Sequence, residues 1–501
     1  MPEDVNQKPG SVASRLLRQT GWYALSNLAL KASGLVLAVL YLNPAYLAVE
    51  EFGYFSLLIF TAQFCTFVAG FGLGTGLLKF MADPAYERDH QSLPFTTLLA
   101  TLGTAAVVLI ALSAIAPSLA GLILDSPERA GLVRLMALYS VFKVIGLVPL
   151  TLVRVQERAG WYVVAIIAEV VVLIGAAYVL MVEQRQGLTG LMGAYTLAAG
   201  VSATVLVGLM LTRVRWRFER RLVRPLIRFG APLVIASLGG WFLNAGDRYL
   251  LKWLTEAATV GLYEWAARLA GVLNMLFVQS FNLAFTVIGL KTLGEGQSDG
   301  SVHRQTLRHY LVWTGWAALG LALLAYDLTR FLPADAAYLE ADTLVLLLAL
   351  GFMNYGVYYV IINVVYAAGR TKAVSLNVLG AAALNGALNL ALIPFLGAFG
   401  AALATFLSYL ALGVGAAYFA RKDTQAPVRF PWGVYVVVLM LVGGLYAVGL
   451  PSLEWSVLGR LALRAGLILA YPLLIVMTGV YARQDVQRVW TEIRRRLKRG
   501  G

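Results

Sequence analysis

Long runs of Leu, Ala, Val, Ile, Phe and Gly alternate along this chain with short segments that hold nearly all of its charge. A hydrocarbon core roughly 30 Å thick takes about 20 apolar residues of helix per crossing. The chain divides into about fourteen runs of that order, at 21–42, 53–78, 94–117, 130–150, 161–182, 188–212, 227–252, 258–282, 309–332, 342–366, 373–395, 398–420, 432–450 and 460–481. Spanning strands would read as short segments of alternating polarity. The runs here are continuous, so the pattern predicts an all-α polytopic membrane protein with short connections and no sizeable soluble domain. The last pair is the least regular, interrupted by Pro451 and Pro472.

Composition agrees. Of 501 residues, 59% are hydrophobic and 13% charged, where soluble domains carry about 25% charged residues. A net charge of +14 would point to nucleic acid in a soluble protein, but these basic residues sit between the apolar runs. Alternate loops on the side of the N-terminus hold about 29 Lys and Arg, the opposite loops and adjoining helix ends about seven, and helix interiors about four. That asymmetry places both termini in the cytoplasm. The densest cluster, Arg213, Arg215, Arg217, Arg220, Arg221, Arg224 and Arg228, lies between the sixth and seventh crossings. It separates a six-helix bundle at 1–212 from a second at 213–425, with two further helices at 426–482 and a basic tail at 483–501. The tail carries Val486, Val489, Trp490, Ile493 and Leu497 among its arginines, a composition suited to lying on anionic lipid headgroups.

At the other end, Lys8, Arg15 and Arg18 precede a hydrophobic stretch too long for a signal-peptide core, so that stretch is expected to be retained. One cysteine, Cys65, excludes disulfides within a single chain. His90, His303 and His309 lack ligand spacing, and no metal site is expected.

The two halves echo each other. Gly53-Tyr54 corresponds to Gly261-Leu262-Tyr263, Ala159-Gly160 to Ala368-Gly369, and Gly187 and Gly190 to Gly397 and Gly400, at offsets of about 208 to 210 residues. Six helices is an even number, so both halves start on the same side and the repeat is parallel.

Specific segments carry a resemblance. Trp241-Phe-Leu-Asn-Ala-Gly-Asp-Arg-Tyr-Leu-Leu251 with Val260-Gly-Leu-Tyr263 resembles the seventh and eighth helices of polysaccharide flippases. Ala368-Gly-Arg-Thr-Lys372, Asn385, Asn389, Ile393-Pro394 and Gly400-Ala-Ala-Leu-Ala-Thr405 resemble their eleventh and twelfth. Glu51-Phe-Gly-Tyr54 and Gly70-Phe-Gly-Leu-Gly74 resemble the start of the first bundle. The family is the O-antigen and exopolysaccharide (Wzx-type) flippases of the multidrug/oligosaccharidyl-lipid/polysaccharide (MOP) superfamily. The resemblance implies two six-helix bundles around a central cavity, two additional helices, and alternating access. It implies an undecaprenyl-diphosphate-linked oligosaccharide as cargo, moved from the inner to the outer leaflet of the bacterial cytoplasmic membrane, beside a polymerase and glycosyltransferases. The Arg-Asp signature of lipid II flippases is missing from the first helix, which favours the polysaccharide branch.

Charges inside membrane helices are functional candidates by default. Lys31 and Lys143 fall near the middle of the first and fourth crossings, Glu169 within the fifth, Asp247 and Arg248 toward the far end of the seventh, and Glu264 and Arg268 in the eighth. Four cations against three acids leave a mildly positive interior, as a diphosphate requires. Arg268 and Lys31 rank first for phosphate contact, then Arg248 and Lys143. Asn27 and Asn244 stand one turn before Lys31 and Arg248 and are expected beside them in the cavity.

Competing readings attach to several of these. Glu264 and Arg268 are spaced to neutralise one another. Asp247 and Arg248, being adjacent, point about 100° apart and are expected to be poor partners. Glu169 is either the partner of a lysine or, with Asp247, a site for Na+ or H+ coupling; no other cofactor is expected. Asn377, Asn385 and Asn389 form a stripe suited to interhelical bonding. Trp241, Tyr249, Trp253, Tyr263 and Trp265 read as an interfacial belt. The rival functions are a cation-coupled drug antiporter, which would favour acids without surplus cations, and a membrane enzyme of polysaccharide assembly. The chain has no clustered loop carboxylates or nucleotide-binding glycine loop, which counts against an enzyme.

Overall fold

The computed structural model describes residues 33–34, 36–156, 159–282, 285, 301–421 and 430–481. The described residues are helical throughout, without strands, and form two compact units. Eleven helices among them are long and apolar enough to cross a membrane. The first predicted crossing lies largely outside the described residues, as does the basic tail.

The first unit runs to Lys252 and takes in 256–261 and 332–335. A helical stretch at 36–41 (α1) leads to α2 (Val49–Gly70). Glu50 and Glu51 occupy the first turn of α2, where the exposed N–H groups and the helix dipole favour negative charge. At 1.5 Å per residue its 22 residues span roughly 33 Å, so the crossing is complete at Gly70. There Phe71 and Gly72 turn left-handed, with φ of 45° and 69°, and α3 (Leu73–Ala82) begins. The predicted run at 53–78 is therefore two helices. Only glycine fits at position 72: φ is positive, and a Cβ there would collide with the backbone of Gly230.

Next come α4 (Leu93–Ala114), α5 (Ala116–Leu124), α6 (Ala130–Val155), α7 (Ala159–Ala177), α8 (Gly187–Leu211) and α9 (Arg220–Leu254). The α6 helix packs on α4 and α8, and α8 on α7. Leu73, Leu77, Leu93, Val148, Leu152 and Leu226 form a buried core where α3, α4, α6 and α9 meet.

The second unit takes most of α10 (Ala257–Leu273), followed by a π-helical turn at Asn274–Gln279. It continues through α11 (Ser301–Arg330), α12 (Asp342–Ala367), α13 (Thr371–Arg421), α14 (Trp432–Gly449) and α15 (Val457–Met477). The α13 segment is two helices joined at Gly397, whose φ of 53° and ψ of −132° break the spiral. Pro451 sits in a 3-10 turn between α14 and α15, and Pro472 lies inside α15.

The repeat is visible in these details. Gly187 opens α8 with a φ of 52°, and Gly397 opens the second half of α13 with 53°. Three residues on, a Cβ at Gly190 would press on the Leu180 carbonyl at 2.9 Å, and one at Gly400 on the Leu392 carbonyl at 2.6 Å. Each unit thus uses one glycine to reverse direction and a second to pack the new helix against the old. Gly53 and Gly261 meet each other: a Cβ on Gly53 would strike the Ala257 carbonyl, and one on Gly261 the Val49 carbonyl. The third echo has no such counterpart, since Gly160 is helical while Gly369 has a φ of 71°.

Candidate functional site: charge pairs within the spans

Lys143 lies about 20 Å along α6 at 1.5 Å per residue, deep in the span as expected. Its Nζ reaches Glu169 Oε1 on α7 at 2.8 Å. The Glu169 side chain is 11% exposed and that of Lys143 33%. Of the two readings for Glu169, the geometry realises the ion pair with Lys143. A groove of about 180 Å³ between α6, α7 and α8 runs past Glu169, walled by Val164, Ala168, Val172 and Val205.

Asp247 and Arg248 correct an expectation. Although adjacent, they pair: Arg248 Nη1 lies 2.8 Å from Asp247 Oδ1, which also accepts the Arg248 backbone N–H at 2.9 Å. The wheel angle fixes only the Cα–Cβ directions. The short carboxylate folds back on its own backbone, and the long guanidinium curls to meet it. Arg248 also donates to the Asn244 carbonyl at 2.9 Å and rests over the Phe60 ring at 4.7 Å. Asn244 does stand beside Arg248, with its amide turned to the Gly240 carbonyl. Both charged side chains are below 10% exposed.

In the second unit Arg268 Nε lies 2.9 Å from Glu264 Oε1, with the arginine side chain 23% exposed and the glutamate 7%. All three cations among the described candidates therefore have an acid beside them, and the expected positive surplus rests on Lys31. Lys31 and Asn27 lie outside the described residues. Exposure ranks the three: Lys143 and Arg268 can be reached from outside the protein fabric, whereas Arg248 is enclosed.

Two clusters were not foreseen. At the end of α9, Lys252 binds Asp125, which also accepts from Tyr54 at 3.0 Å; Tyr54 contacts Glu50 at 2.7 Å and lies under Arg129. The Lys252 ammonium holds the Asp125 carboxyl below its usual range. In the second unit, Asp327 on α11 bridges two arginines of α15. Its Oδ1 takes Arg460 Nε at 2.8 Å, and its Oδ2 takes Arg464 Nη1 at 2.6 Å. All three side chains are below 5% exposed. Arg460 and Arg464 sit close to the start of α15, where a basic residue in the sequence suggests a side chain reaching out to the interface, yet both are buried against Asp327. The signal available in the sequence was their four-residue spacing in an apolar run, together with Asp327 inside another.

The asparagine stripe bonds between helices and along its own: Asn377 donates to the Leu412 carbonyl at 2.9 Å, and Asn389 to Asn385 at 3.0 Å. The aromatic belt is only partly one. Trp253 is exposed, but Tyr263 and Trp265 are fully buried. Trp265 Nε1 donates to Thr329 at 2.9 Å, and Tyr263 meets Thr405 at 3.3 Å. Burial of a ring with a polar tip demands such a partner. Among the described residues no group of His, Cys, Asp or Glu is placed to hold a metal ion.

Comparison with known proteins agrees with this architecture. A family model described as "Polysaccharide biosynthesis protein" matches residues 16–286, more than half of the chain. No curated protein sequence matches. Among solved structures, the lipid II flippase MurJ in an inward closed conformation superposes with a TM-score of 0.72 at 14% identity, over 92% of this chain and 99% of that one. An inward-facing multidrug resistance MATE family transporter of the MOP superfamily gives 0.63 at 15% identity, over 81% and 96%. A MOP superfamily transporter from Pyrococcus furiosus gives 0.55 at 14% identity, over 82% and 93%. At these identities the likeness is one of fold.

Proposed function

This chain belongs to the polysaccharide biosynthesis protein family, and we propose that within it the protein is a flippase for lipid-linked oligosaccharides. It moves undecaprenyl-diphosphate-linked glycan repeat units from the inner to the outer leaflet of the cytoplasmic membrane by alternating access, feeding surface polysaccharide assembly by a polymerase and glycosyltransferases. The face bearing Arg213 to Arg228 is the cytoplasmic one.

The observation that carries this reading is the pair of partly exposed cations, Lys143 within a helix apolar enough to span and Arg268 on α10, each held 2.8–2.9 Å from a more deeply buried acid. A carboxylate in that position keeps the empty site neutral, which lowers the cost of a charge in hydrocarbon. An arriving diphosphate offers the cation a second set of oxygens at hydrogen-bond distance, bidentate in the case of Arg268. The sugar then travels among polar groups while the apolar tail stays in lipid, which avoids several kcal/mol for each polar group left unpaired. Lys31, with Asn27 four residues before it in the sequence, supplies the remaining positive charge. Enclosed by Asn244, Asp247 and Phe60, Arg248 positions the end of α9 rather than meeting cargo first. Coupling to Na+ or H+, where it occurs, passes through Glu169 or Asp247, the acids paired within the first unit.

The cation-coupled antiporter shares this fold, and the MATE likeness keeps it as the second reading. Against it stands the pairing itself: each described candidate acid already has a basic partner, which leaves little to attract a cationic drug. The test is genetic. Arg268→Ala and Lys31→Ala should each abolish surface glycan while the protein remains in the membrane; full glycan export by both variants removes the assignment.

A further inference from the structure

Tyrosines within this protein's spans divide into two kinds. In the second unit several use their hydroxyl to bridge helices: Tyr310 donates to the Met353 carbonyl, Tyr471 to the Val312 carbonyl at 3.1 Å, and Tyr435 to Asn354 at 3.0 Å, all of them buried. Tyr355 and Tyr359 on α12 differ. Tyr359 donates to Tyr355 one turn back on the same helix at 2.8 Å. Neither hydroxyl has an interhelical partner among the described residues, and both side chains are only partly buried. Asn363, one further turn on, is buried and donates to the Tyr359 carbonyl at 3.1 Å, and Tyr366 ends the row 49% exposed.

These four residues, at spacings of four, four and three, share one face of α12 and extend about 16 Å along it. The rings are fixed from behind: Tyr355 stacks on Tyr409 at 4.8 Å and 27° and stands edge-on to Tyr359 at 4.8 Å. A row of phenol hydroxyls turned to acyl chains would be costly, since each polar group in hydrocarbon needs a partner. A row kept only for packing would need the rings and not the hydroxyls. Held rings with hydrogen-bonding capacity along one partly open face suit a ligand that is apolar on its C–H faces and hydroxylated at its edges, which is the chemistry of a sugar.

We propose that Tyr355, Tyr359 and Tyr366 form the surface on α12 that binds the glycan portion of the cargo, apart from the cations that meet its diphosphate. This rests on the flippase reading and names a sugar subsite for it. Tyr→Phe exchange keeps ring and packing while removing the hydroxyl, so it separates recognition from folding.

The test measures binding of two probes to the full chain in detergent by native mass spectrometry: undecaprenyl diphosphate, and undecaprenyl-diphosphate-linked N-acetylglucosamine. Wild type is expected to prefer the sugar-bearing lipid. Tyr355→Phe/Tyr359→Phe should weaken that lipid by about tenfold, the loss of one or two hydrogen bonds, and leave undecaprenyl diphosphate unchanged. A double variant that keeps the wild-type preference overturns the proposal, as does a wild type that binds both probes equally. A wild type that binds neither overturns the flippase reading itself.

Discussion

Replacing Asp327 by Asn would leave two guanidinium groups buried in the second unit without their shared counter-charge. Each carboxylate oxygen serves one arginine, Oδ1 facing Arg460 and Oδ2 facing Arg464, and an arginine cannot shed its proton to escape. Removing one partner of a buried pair costs about 3–5 kcal/mol. Some support remains, because Arg460 still donates to the Leu453 carbonyl at 3.2 Å and faces the Tyr326 ring, while Arg464 reaches Ser452 at 3.3 Å. The lower half of that range is therefore expected. With about 2–4 °C of melting temperature per kcal/mol for a unit of this size, Asp327→Asn should melt about 6–16 °C below wild type. The assay is the fraction of monodisperse protein left on size exclusion after heating in detergent. The triple variant Asp327→Leu/Arg460→Leu/Arg464→Met should recover most of the loss, because apolar replacement of a whole buried cluster is often neutral. A single variant that melts within about 2 °C of wild type would refute the argument that α15 is fastened to α11 by charge.

Other perturbations have equally definite outcomes. Lys143→Met should strand the buried Glu169 and reduce surface glycan, and Lys143→Met/Glu169→Gln should restore folded protein but not export, read by membrane yield and glycan immunoblot. At Gly72, Ala would combine a positive φ with a backbone collision, costing upwards of about 1 kcal/mol; reaction of the chain's single thiol, buried Cys65, with a fluorescent maleimide should begin at lower temperature. The Lys252–Asp125 contact lowers the folded-state pKa of Asp125, so its contribution is present above the ordinary value of 3.8 and is lost as pH falls through the lowered one. Asp125→Asn should therefore narrow its stability gap to wild type only in acid below that value, measured by melts across pH.

How far the sequence could be read depended on the range of the interaction. Span positions follow from runs of apolar residues, a local property: Gly187–Leu211 differs from the expected 188–212 only at its ends, whereas the run expected at 53–78 is broken by the left-handed turn at Phe71 and Gly72, which hydropathy does not register. Gly187 and Gly397 were legible because the repeat places the same turn twice. Asp247 and Arg248 were misread because a helical wheel has no side-chain torsions. Tyr263 and Trp265 were assigned to an interface because nothing local distinguishes a ring at the membrane surface from one buried against another helix. Asp327 lies more than 130 residues from Arg460, and no periodicity links them. The α12 tyrosines carry no signal in the sequence, because aromatic residues in an apolar run read as core; the direction of the Tyr359 hydroxyl sets them apart.

The most direct test of the flippase account is transbilayer movement in proteoliposomes, using a polyprenyl-diphosphate-linked N-acetylglucosamine with a dithionite-sensitive fluorophore on the sugar. Vesicles holding the wild-type chain should expose the inner-leaflet fraction to external dithionite, and vesicles holding Lys143→Ala/Arg268→Ala should protect it as protein-free vesicles do. Equal protection with and without the wild-type chain, in vesicles shown to contain folded protein, would contradict the account.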